Sequence, residues 1–212
     1  SPVNEVSSEG LPRLFIKDVP PAFEADLEVE RPEIYYGEKT DEYVLVKTKT
    51  QEFDYPKGDK NVYGTYQGKG GVPINSFVTR LLVAFEFLDP QILFTHYLSP
   101  ESRLMFNRRI DRRVRSIAPF LDYDADPYLV LSRGRLYWIQ DAYTTSDMYP
   151  YSRRSYGNFQ NQRLNYIRNS AKVVIDAYNG AVSFYIVDEE DPIVETYAAI
   201  FPDLFKPFRD MP

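Results

Sequence analysis

Two pairs of β-rich segments, each joined by a turn that contains glycine, constrain the fold of this chain most strongly. Residues 172–187 contain two runs of β-branched and aromatic side chains around Asn179-Gly180, a dipeptide that suits a two-residue type I′ turn. Residues 128–139 contain two similar runs around a turn with Gly134. Because short turns join antiparallel strands, the sequence predicts two β-hairpins in one antiparallel or mixed sheet.

A first helix is predicted where apolar side chains recur at helical spacing. The positions that share this spacing are Phe77, Leu81, Leu82, Phe85 and Leu88. Asn75 or Ser76 can cap the start of this helix, and the proline at Asp89-Pro90 ends it. Residues 92–98 continue the apolar pattern as a second, shorter helical segment.

A third helix is predicted from the Ser-Pro-Glu sequence at residues 99–101 to the residue before Pro119. Its predicted buried stripe consists of Phe106, Ile110, Val114 and Ile117. A fourth helix is predicted over residues 192–201. The expected fold class is α+β, with the helices of residues 74–117 and 192–201 packed mainly on one face of the hairpin sheet.

The chain length and composition favour a single soluble domain over residues 1–212. Apolar residues make up 43% of the 212 residues, which is enough for a substantial core. Prolines among acidic residues predict an extended arm over residues 1–33, and residues 144–161 are expected to form a long polar and aromatic loop. No run reaches the roughly 18 apolar residues that a membrane-spanning helix needs.

The composition excludes several kinds of chemistry. Without cysteine the chain cannot form disulfides, thiolate metal sites or thiol nucleophiles. His96 is the single histidine, so a metal site built from several histidines is impossible. The G-x-S-x-G motif that would support a Ser-His-Asp triad is also absent from the sequence. A net charge of −6 and a pI of about 5.0 argue against general nucleic-acid binding. No cofactor is expected.

Gly68, Lys69, Gly70 and Gly71 precede the first predicted helix and form a candidate anion site. Glycines let backbone N–H groups converge on an anion, and a helix N-terminus adds positive potential. The Walker spacing is absent, because Lys69 is not followed by serine or threonine. The alternative is a turn without a ligand.

Asp122, Asp124 and Asp126 alternate as in the opening of a calcium-binding loop. The match ends at the sixth position, where Pro127 replaces the required glycine, and at the twelfth, where Arg133 replaces the bidentate glutamate. These carboxylates are candidates for a metal site, a calcium site of some other geometry, and the alternative is that they are solvated acids of a turn or salt-bridge partners.

Arginine residues are concentrated in the third predicted helix. Among them Arg108, Arg112 and Arg115 are candidates to bind anionic lipid headgroups or an acidic partner, because the guanidinium group is a planar donor. The alternative is that they pair with carboxylates of the chain itself, with Asp122, Asp124 and Asp126 as candidate partners.

Tyrosines in and next to the predicted loop form the last candidate site. Tyr143, Tyr149, Tyr151 and Tyr156 can provide a stacking platform for sugars or an anchor at a protein interface. Alternatively, several of them cap the edge of the sheet and become buried against other parts of a parent protein.

A series of short strings along the chain resembles one protein family. In order they are GKGGVP (68–73), IAPFL (117–121), LYWI (136–139), AYTTS (142–146), YPYS (149–152) and NYIRNS (165–170). Together they resemble a family of large uncharacterised multi-pass membrane proteins of bacteria, cyanobacteria and actinobacteria. The resemblance implies that several transmembrane helices precede a long soluble region, and that this chain is an internal section of that region in a protein of the cell membrane. It implies no reaction, cofactor or catalytic residue.

The leading functional expectation is a non-catalytic interaction or scaffold domain, which lies outside the cytoplasm if an odd number of spans precedes it and the N-terminus of the parent protein is inside. Its expected partners are the remaining soluble and transmembrane parts of the parent protein, with an envelope glycan or a protein as a further partner. One alternative is a hydrolase that uses a pair of carboxylates on envelope glycans. Another is a module that binds a divalent cation or anionic lipid.

Overall fold

The computed structural model describes residues 2–6, 10, 12–14, 16–17, 22–23, 29–57, 59–156 and 163–212. These residues fall into two compact units. Unit 1 comprises Ser1–Ile34, Glu42–Phe106 and Arg133–Leu136, and unit 2 comprises Tyr35–Asp41, Asn107–Ser132 and Tyr137–Pro212. The single domain over residues 1–212 stays a prediction. Within the described ranges, no helix has the length and hydrophobicity that crossing a bilayer requires.

Unit 1 contains short antiparallel strand pairs and two helices. Its described elements are β1 (Pro2–Val6), β2 (Pro12–Leu14), β3 (Ile16–Lys17), β4 (Ala22–Phe23), β5 (Val44–Val46), β6 (Glu52–Lys57), β7 (Lys60–Gly64), β8 (Val72–Pro73), α1 (Phe77–Glu86), α2 (Gln91–Phe94) and β9 (Arg103–Met105). The pairs are β1–β2, β3–β4 and β6–β7, and β9 lies between β5 and β8. The predicted arm thus includes two strand pairs, and much of its remainder lies outside the described residues.

Helix α1 confirms the first helix prediction. The Ser76 hydroxyl accepts a hydrogen bond from the Thr79 N–H at 3.1 Å and caps the helix, because this N–H has no partner inside the helix. The buried residues Ile74, Leu98 and Leu104 form a core beneath α1, and Val83 and Phe87 pack against it.

The third helix prediction is wrong over residues 99–109. The Ser99 and Ser102 hydroxyls both donate to the Lys47 carbonyl, at 2.8 and 3.0 Å, and the Ser102 N–H closes a turn on the Ser99 carbonyl. Residues with short hydroxyl side chains often form such turns in place of a helix start. The following residues form β9 between β5 and β8, and the helix begins only at Ile110.

Unit 2 is built around a mixed sheet. Its described elements are α3 (Ile110–Ile117), β10 (Asp122–Tyr123), β11 (Tyr128–Ser132), β12 (Arg135–Ser146, with residues 137–146 in this unit), β13 (Ser155–Tyr156), β14 (Arg163–Leu164), β15 (Tyr166–Asp176), β16 (Val182–Ile186), α4 (Pro192–Ile200), β17 (Phe205–Pro207) and a 3₁₀ turn (Phe208–Asp210). The strand order is β10–β12–β15–β16–β17, with β11 also paired to β12. The pair β16–β17 is parallel, and the pairs β10–β12, β12–β15 and β15–β16 are antiparallel. The fold class is α+β, as predicted.

Of the predicted stripe of the third helix, Ile110 and Val114 are buried in α3, whereas Phe106 and Ile117 are exposed. Phe106 precedes α3 and Ile117 is its last residue. The fourth predicted helix is confirmed as α4.

Both hairpins are confirmed. The type I′ turn, however, joins β11 to β12 and not β15 to β16, where the sequence predicted it. Arg133 and Gly134 have φ values of 50° and 75°, as a two-residue type I′ turn between β11 and β12 requires. In the second hairpin only Gly180 of the pair has a positive φ, at 70°. There the Asp176 carboxylate accepts the N–H groups of Tyr178 and Asn179, at 2.9 and 2.8 Å, and stabilises a longer loop over residues 177–181.

The predicted long loop begins later than expected. Strand β12 pairs with β15 as far as Ser146, three residues into the predicted range. Residues 147–154 follow without helix or strand, then β13, and residues 157–162 lie outside the described part of the chain.

The loop between β15 and β16 is held in place by Tyr36 and Arg113. Tyr36 is buried and its backbone N–H donates to the Ala177 carbonyl at 2.9 Å. The Arg113 guanidinium lies 4.8 Å from the centre of the Tyr36 ring, and its Nε donates to the Gly180 carbonyl at 2.7 Å. Desolvation lowers the pKa of Arg113, and the electrostatic interaction with Tyr36 opposes this shift.

Gly180→Ala is expected to destabilise the chain by about 2–4 kcal/mol, because left-handed backbone and steric overlap both disfavour a side chain there. An added Cβ would lie 2.5 Å from Cε1 and 2.6 Å from Cε2 of the buried Tyr36 ring. Urea unfolding measures the loss. The control is Gly64→Ala, whose Cβ meets no atom within 4 Å and which should change stability by less than about 1 kcal/mol. Equal effects of the two substitutions would contradict the steric argument.

Candidate interaction surface

Helix α1 has apolar side chains on two opposite faces. Its inner face contributes Ala84, which is buried, and Val83, which packs against the core of unit 1. Its outer face carries the exposed side chains Phe77, Val78, Leu81, Leu82 and Phe85. At 3.6 residues per turn, these five positions cover an arc of roughly 140°. A helix that is apolar on both sides is typical of one that is buried on both sides.

Residues after α1 extend the exposed apolar surface. Leu88, Phe94 and Tyr97 expose 84%, 76% and 65% of their surface. We define the α1–α2 apolar face as Phe77, Val78, Leu81, Leu82, Phe85, Leu88, Phe94 and Tyr97. A contiguous apolar surface of this kind on a protein usually marks a contact with another macromolecule.

Two open grooves divide the α1–α2 apolar face. The first, of about 330 Å³, is lined by Leu81, Ala84, Phe85, Leu88, Pro90 and Leu93. The second, of about 450 Å³, is lined by Pro90, Gln91, Phe94, Thr95, His96 and Tyr97. Pro90 borders both grooves, so they lie next to each other, and both are open to side chains of a partner.

The junction between α1 and α2 is fixed by hydrogen bonds. The Tyr43 hydroxyl donates to the Asp89 carboxylate at 2.5 Å, and this carboxylate also accepts the Gln91 N–H at the start of α2, at 3.0 Å. The hydrogen bond to Asp89, followed by burial and the Asp89 charge, raises the pKa of Tyr43 to about 12. The Tyr43 ring packs on Phe87, with centroids 4.8 Å apart.

Leu88 occupies an unusual backbone position at the end of α1. The Asp89 N–H donates to the Ala84 carbonyl at 3.0 Å and the Leu88 N–H to the Phe85 carbonyl at 3.4 Å, the pattern of a Schellman motif. Leu88 takes the left-handed position of this motif, with φ 52°. Glycine usually occupies it, and a side chain with a Cβ costs about 1–2 kcal/mol there.

A second polar arrangement in unit 2 centres on Asp191, which is fully buried at the start of α4. Its carboxylate accepts the hydroxyls of Thr144 and Ser170, the Tyr166 hydroxyl at 2.5 Å and the Ile193 N–H at 3.0 Å. The cluster thereby connects β12, β15 and α4.

The pKa of Asp191 lies below its ordinary value of 3.8. Burial opposes ionisation, but the hydrogen bonds from Ser170, Thr144, Tyr166 and the Ile193 N–H favour the carboxylate and outweigh it. The cluster therefore has the character of a structural cross-link. The sequence predicted the helix that follows Asp191 but not this cluster, because Thr144, Tyr166 and Ser170 are distant from Asp191 in the chain.

The structure places the candidate tyrosines in different surroundings. Tyr149 stacks on Tyr166 with ring centroids 4.3 Å apart, and the Tyr143 hydroxyl lies 3.4 Å from the Asp124 carboxylate. Tyr151 is fully exposed, with a left-handed φ of 58°. The Tyr156 side chain lies outside the described part of the chain. Sugar or protein binding by these tyrosines stays a prediction.

The candidate arginines contact other groups of unit 2. Arg108 precedes α3 and its Nε donates to the Tyr35 carbonyl at 2.7 Å. Arg112 forms an ion pair with Asp41 at 3.2 Å, and the Arg115 guanidinium lies 5.2 Å from the centre of the Tyr123 ring. The carboxylate that Arg112 contacts is thus Asp41, whereas Asp122, Asp124 and Asp126 were the suggested partners. Lipid or partner binding by these arginines stays a prediction.

The glycine-rich segment has structural contacts within unit 1. The Gly70 N–H donates to the Tyr66 hydroxyl at 2.7 Å, and the Arg103 guanidinium donates to the Gly70 and Gly71 carbonyls, each at 2.7 Å. Gly71 has φ 76°, and a Cβ there would lie 2.6 Å from the Leu104 carbonyl oxygen. The positive φ and the close approach of the Leu104 carbonyl explain why position 71 is glycine. Anion binding by Gly68, Lys69, Gly70 and Gly71 stays a prediction.

The three candidate aspartates take part in hydrogen bonds within unit 2. Asp122 accepts the Thr145 hydroxyl at 2.6 Å, and the Asp124 carboxylate accepts the Asp126 N–H at 3.1 Å. Nowhere in the described ranges do three or more histidine, aspartate or glutamate residues form a group that could hold a metal ion.

Comparison with known proteins gives one family. A model described as "Uncharacterised protein family (UPF0182)" matches residues 1–212. Relatives named UPF0182 protein from Sulfurovum sp. (strain NBC37-1), Desulforamulus reducens and Pelotomaculum thermopropionicum are 55%, 56% and 54% identical. Each match covers 100% of this chain but only 23%, 22% and 23% of the relative. No solved structure matches the chain.

Asp191→Asn is expected to lower the free energy of unfolding at pH 7 by about 2 kcal/mol or more, because an amide accepts the buried hydroxyls less strongly than a carboxylate. The folded-state pKa is depressed, so the stabilisation is present above pH 3.8 and is lost as the pH falls through the folded pKa. The variant should therefore lose less stability below about pH 4 than the natural chain.

Urea unfolding between pH 2.5 and 7 measures both effects. The matched control is Asp203→Asn at an exposed position, which should change stability by less than about 0.5 kcal/mol. A pH dependence that is the same in the natural chain and in Asp191→Asn would contradict the assignment.

Proposed function

Because the chain belongs to the uncharacterised protein family UPF0182 and spans less than a quarter of the length of the curated relatives it matches, we propose that it is a non-catalytic interaction domain of a larger integral membrane protein. In this proposal the domain lies on the extracytoplasmic side and packs against other parts of the same polypeptide.

The observation that carries the proposal is the α1–α2 apolar face. Its exposed residues are large and apolar, and on α1 they lie opposite a face that already packs on a core. Burying apolar surface releases about 25 cal/mol per Å², so a partner surface that covers this face would gain binding free energy from it. Apolar side chains of this kind bind other macromolecules and do not activate reactants.

The length of the relatives supports an occupant from the same polypeptide. More than three quarters of each of the three relatives lies outside the matched region, so the parent protein supplies a large surface at high effective concentration. An intramolecular contact needs less intrinsic affinity than one between separate proteins. The membrane location and the sidedness rest on the family resemblance described above.

Cysteine labelling tests whether the α1–α2 apolar face is covered. The chain has no cysteine, so a single Leu82→Cys substitution gives one reactive thiol within it. Leu82 exposes 64% of its surface in the chain. In the intact parent protein, labelling by a maleimide is expected to be at least about tenfold slower than in the chain alone, because a covering surface excludes the reagent.

Glu101→Cys, at an exposed polar position of unit 1, is the matched control and should react at similar rates in both proteins. Peptide mapping separates these thiols from any others in the parent protein. Equal rates for Leu82→Cys in the chain and in the parent would remove the basis of the proposed function.

The proposed sidedness has its own test in intact cells. A membrane-impermeant maleimide is expected to label Glu101→Cys in the parent protein without prior lysis, because an extracytoplasmic thiol is accessible from outside. Labelling that occurs only after the cells are broken would place the domain on the cytoplasmic side.

A further inference from the structure

Leu88 combines a disfavoured backbone conformation with an almost fully exposed side chain. It occupies the left-handed position of the Schellman motif that ends α1, with φ 52°. Residues persist in such conformations only where the surrounding structure compensates the strain, and they are concentrated at functional sites. Within the described chain the Leu88 side chain has 84% of its surface exposed, so its packing there is slight.

Position 88 is also central to the surface where a partner is expected. Leu88 lines the 330 Å³ groove together with Leu81, Phe85 and Leu93, between the outer side of α1 and the start of α2. The Schellman hydrogen bonds and the Tyr43–Asp89 bond fix the backbone on both sides of Leu88. The direction of the Leu88 Cα–Cβ bond is therefore fixed before binding, which reduces the entropy lost when a partner contacts the side chain.

We propose that Leu88 is the principal anchor of the α1–α2 apolar face and that it inserts between side chains of an apolar helical segment of the same polypeptide outside residues 1–212. This inference rests on the proposed function and names the residue and the partner chemistry of that contact. The strain at Leu88 is compensated by the contacts that the side chain makes in the parent protein.

The charges around the face favour an apolar and weakly charged occupant. Helix α1 has one basic and one acidic residue, Arg80 and Glu86. The Arg80 guanidinium donates to the Ile74 carbonyl at 3.0 Å and so has a partner within unit 1. A charged partner segment would find few groups of opposite charge here, whereas apolar side chains would fill both grooves.

The same charges argue against a lipid bilayer as the occupant. Helices that lie in a membrane interface usually carry several lysine or arginine residues on their polar face, which attract anionic headgroups. Helix α1 has only Arg80, and α2 has no basic residue. A helical segment of the polypeptide therefore fits the face better than a membrane surface.

The test compares two substitutions of Leu88. Leu88→Gly removes the anchor and relieves the backbone strain, whereas Leu88→Ala removes the anchor and keeps a Cβ in the left-handed conformation. Both are expected to increase the maleimide reactivity of Leu82→Cys in the parent protein at least about fivefold, because the covering segment then dissociates more often. Only Leu88→Gly should raise the midpoint of thermal unfolding of the chain, by about 2–4 °C.

Arg133→Gly is the matched control, because Arg133 is also an exposed residue of unit 1 with a left-handed φ. It should leave the reactivity of Leu82→Cys in the parent unchanged. If Leu82→Cys is protected in the parent but neither Leu88 variant increases its reactivity, the proposed function stands and the anchor proposal is wrong. If Leu82→Cys is not protected at all, both proposals fail.

A photo-cross-linking amino acid at position 88 of the parent protein identifies the occupant. The expected product is an intramolecular cross-link to a residue outside residues 1–212, located by mass spectrometry. The same amino acid at Glu101 should give no such product. A cross-link to lipid, a cross-link to a second copy, or no cross-link at position 88 would each overturn the proposal.

Discussion

The close approach of Gly180 to the Tyr36 ring is the constraint on which unit 2 depends. The loop between β15 and β16 can reach Tyr36 only because position 180 has no Cβ, and Arg113 then binds both the ring and the Gly180 carbonyl. The Trp138 indole also donates to the Tyr36 carbonyl, at 2.9 Å. Through Tyr36, the loop, α3 and β12 are held by one small group of contacts, and the Asp191 cluster connects β12, β15 and α4 in the same unit.

Unit 1 differs from unit 2, because its packed core supports the α1–α2 apolar face, which is exposed. The core beneath α1 and the bond between Tyr43 and Asp89 hold the helix ends, while the outer side of α1 contributes little to the stability of the chain itself. Large apolar side chains at exposed positions add nothing to folding and favour aggregation. Their presence on a rigid support is the observation on which the proposed interaction function rests.

The sequence predicted best what depends on neighbouring residues. The Ser76 cap, the fourth helix from residue 192 and the β-branched runs of both hairpins depend on local signals, and all are found in the structure. The segment after Ser99 was mispredicted because its hydroxyls bind the Lys47 carbonyl, more than 50 positions away in the sequence.

The sequence predicted the apolar stripe of the α1–α2 apolar face but not its exposure, because the exposure also depends on distant residues. Helical spacing identified Phe77, Leu81 and Phe85 as one stripe, but spacing alone does not say whether a stripe faces inward or outward. The inner face is set by Ile74, Leu98 and Leu104, which come from separate segments. The left-handed position of Leu88 could not be anticipated, because the sequence signal for it is normally glycine.

The last strand of the unit 2 sheet, β17, limits how this sheet can pair with strands of other chains. Strand β17 is three residues long, lies at one end of the strand order and contains Pro207, which has no N–H to donate. Lys206 adds a charge at the same edge. Such an edge resists the addition of a further strand from another chain, so growth of the sheet by strand exchange or fibril-like stacking is disfavoured there.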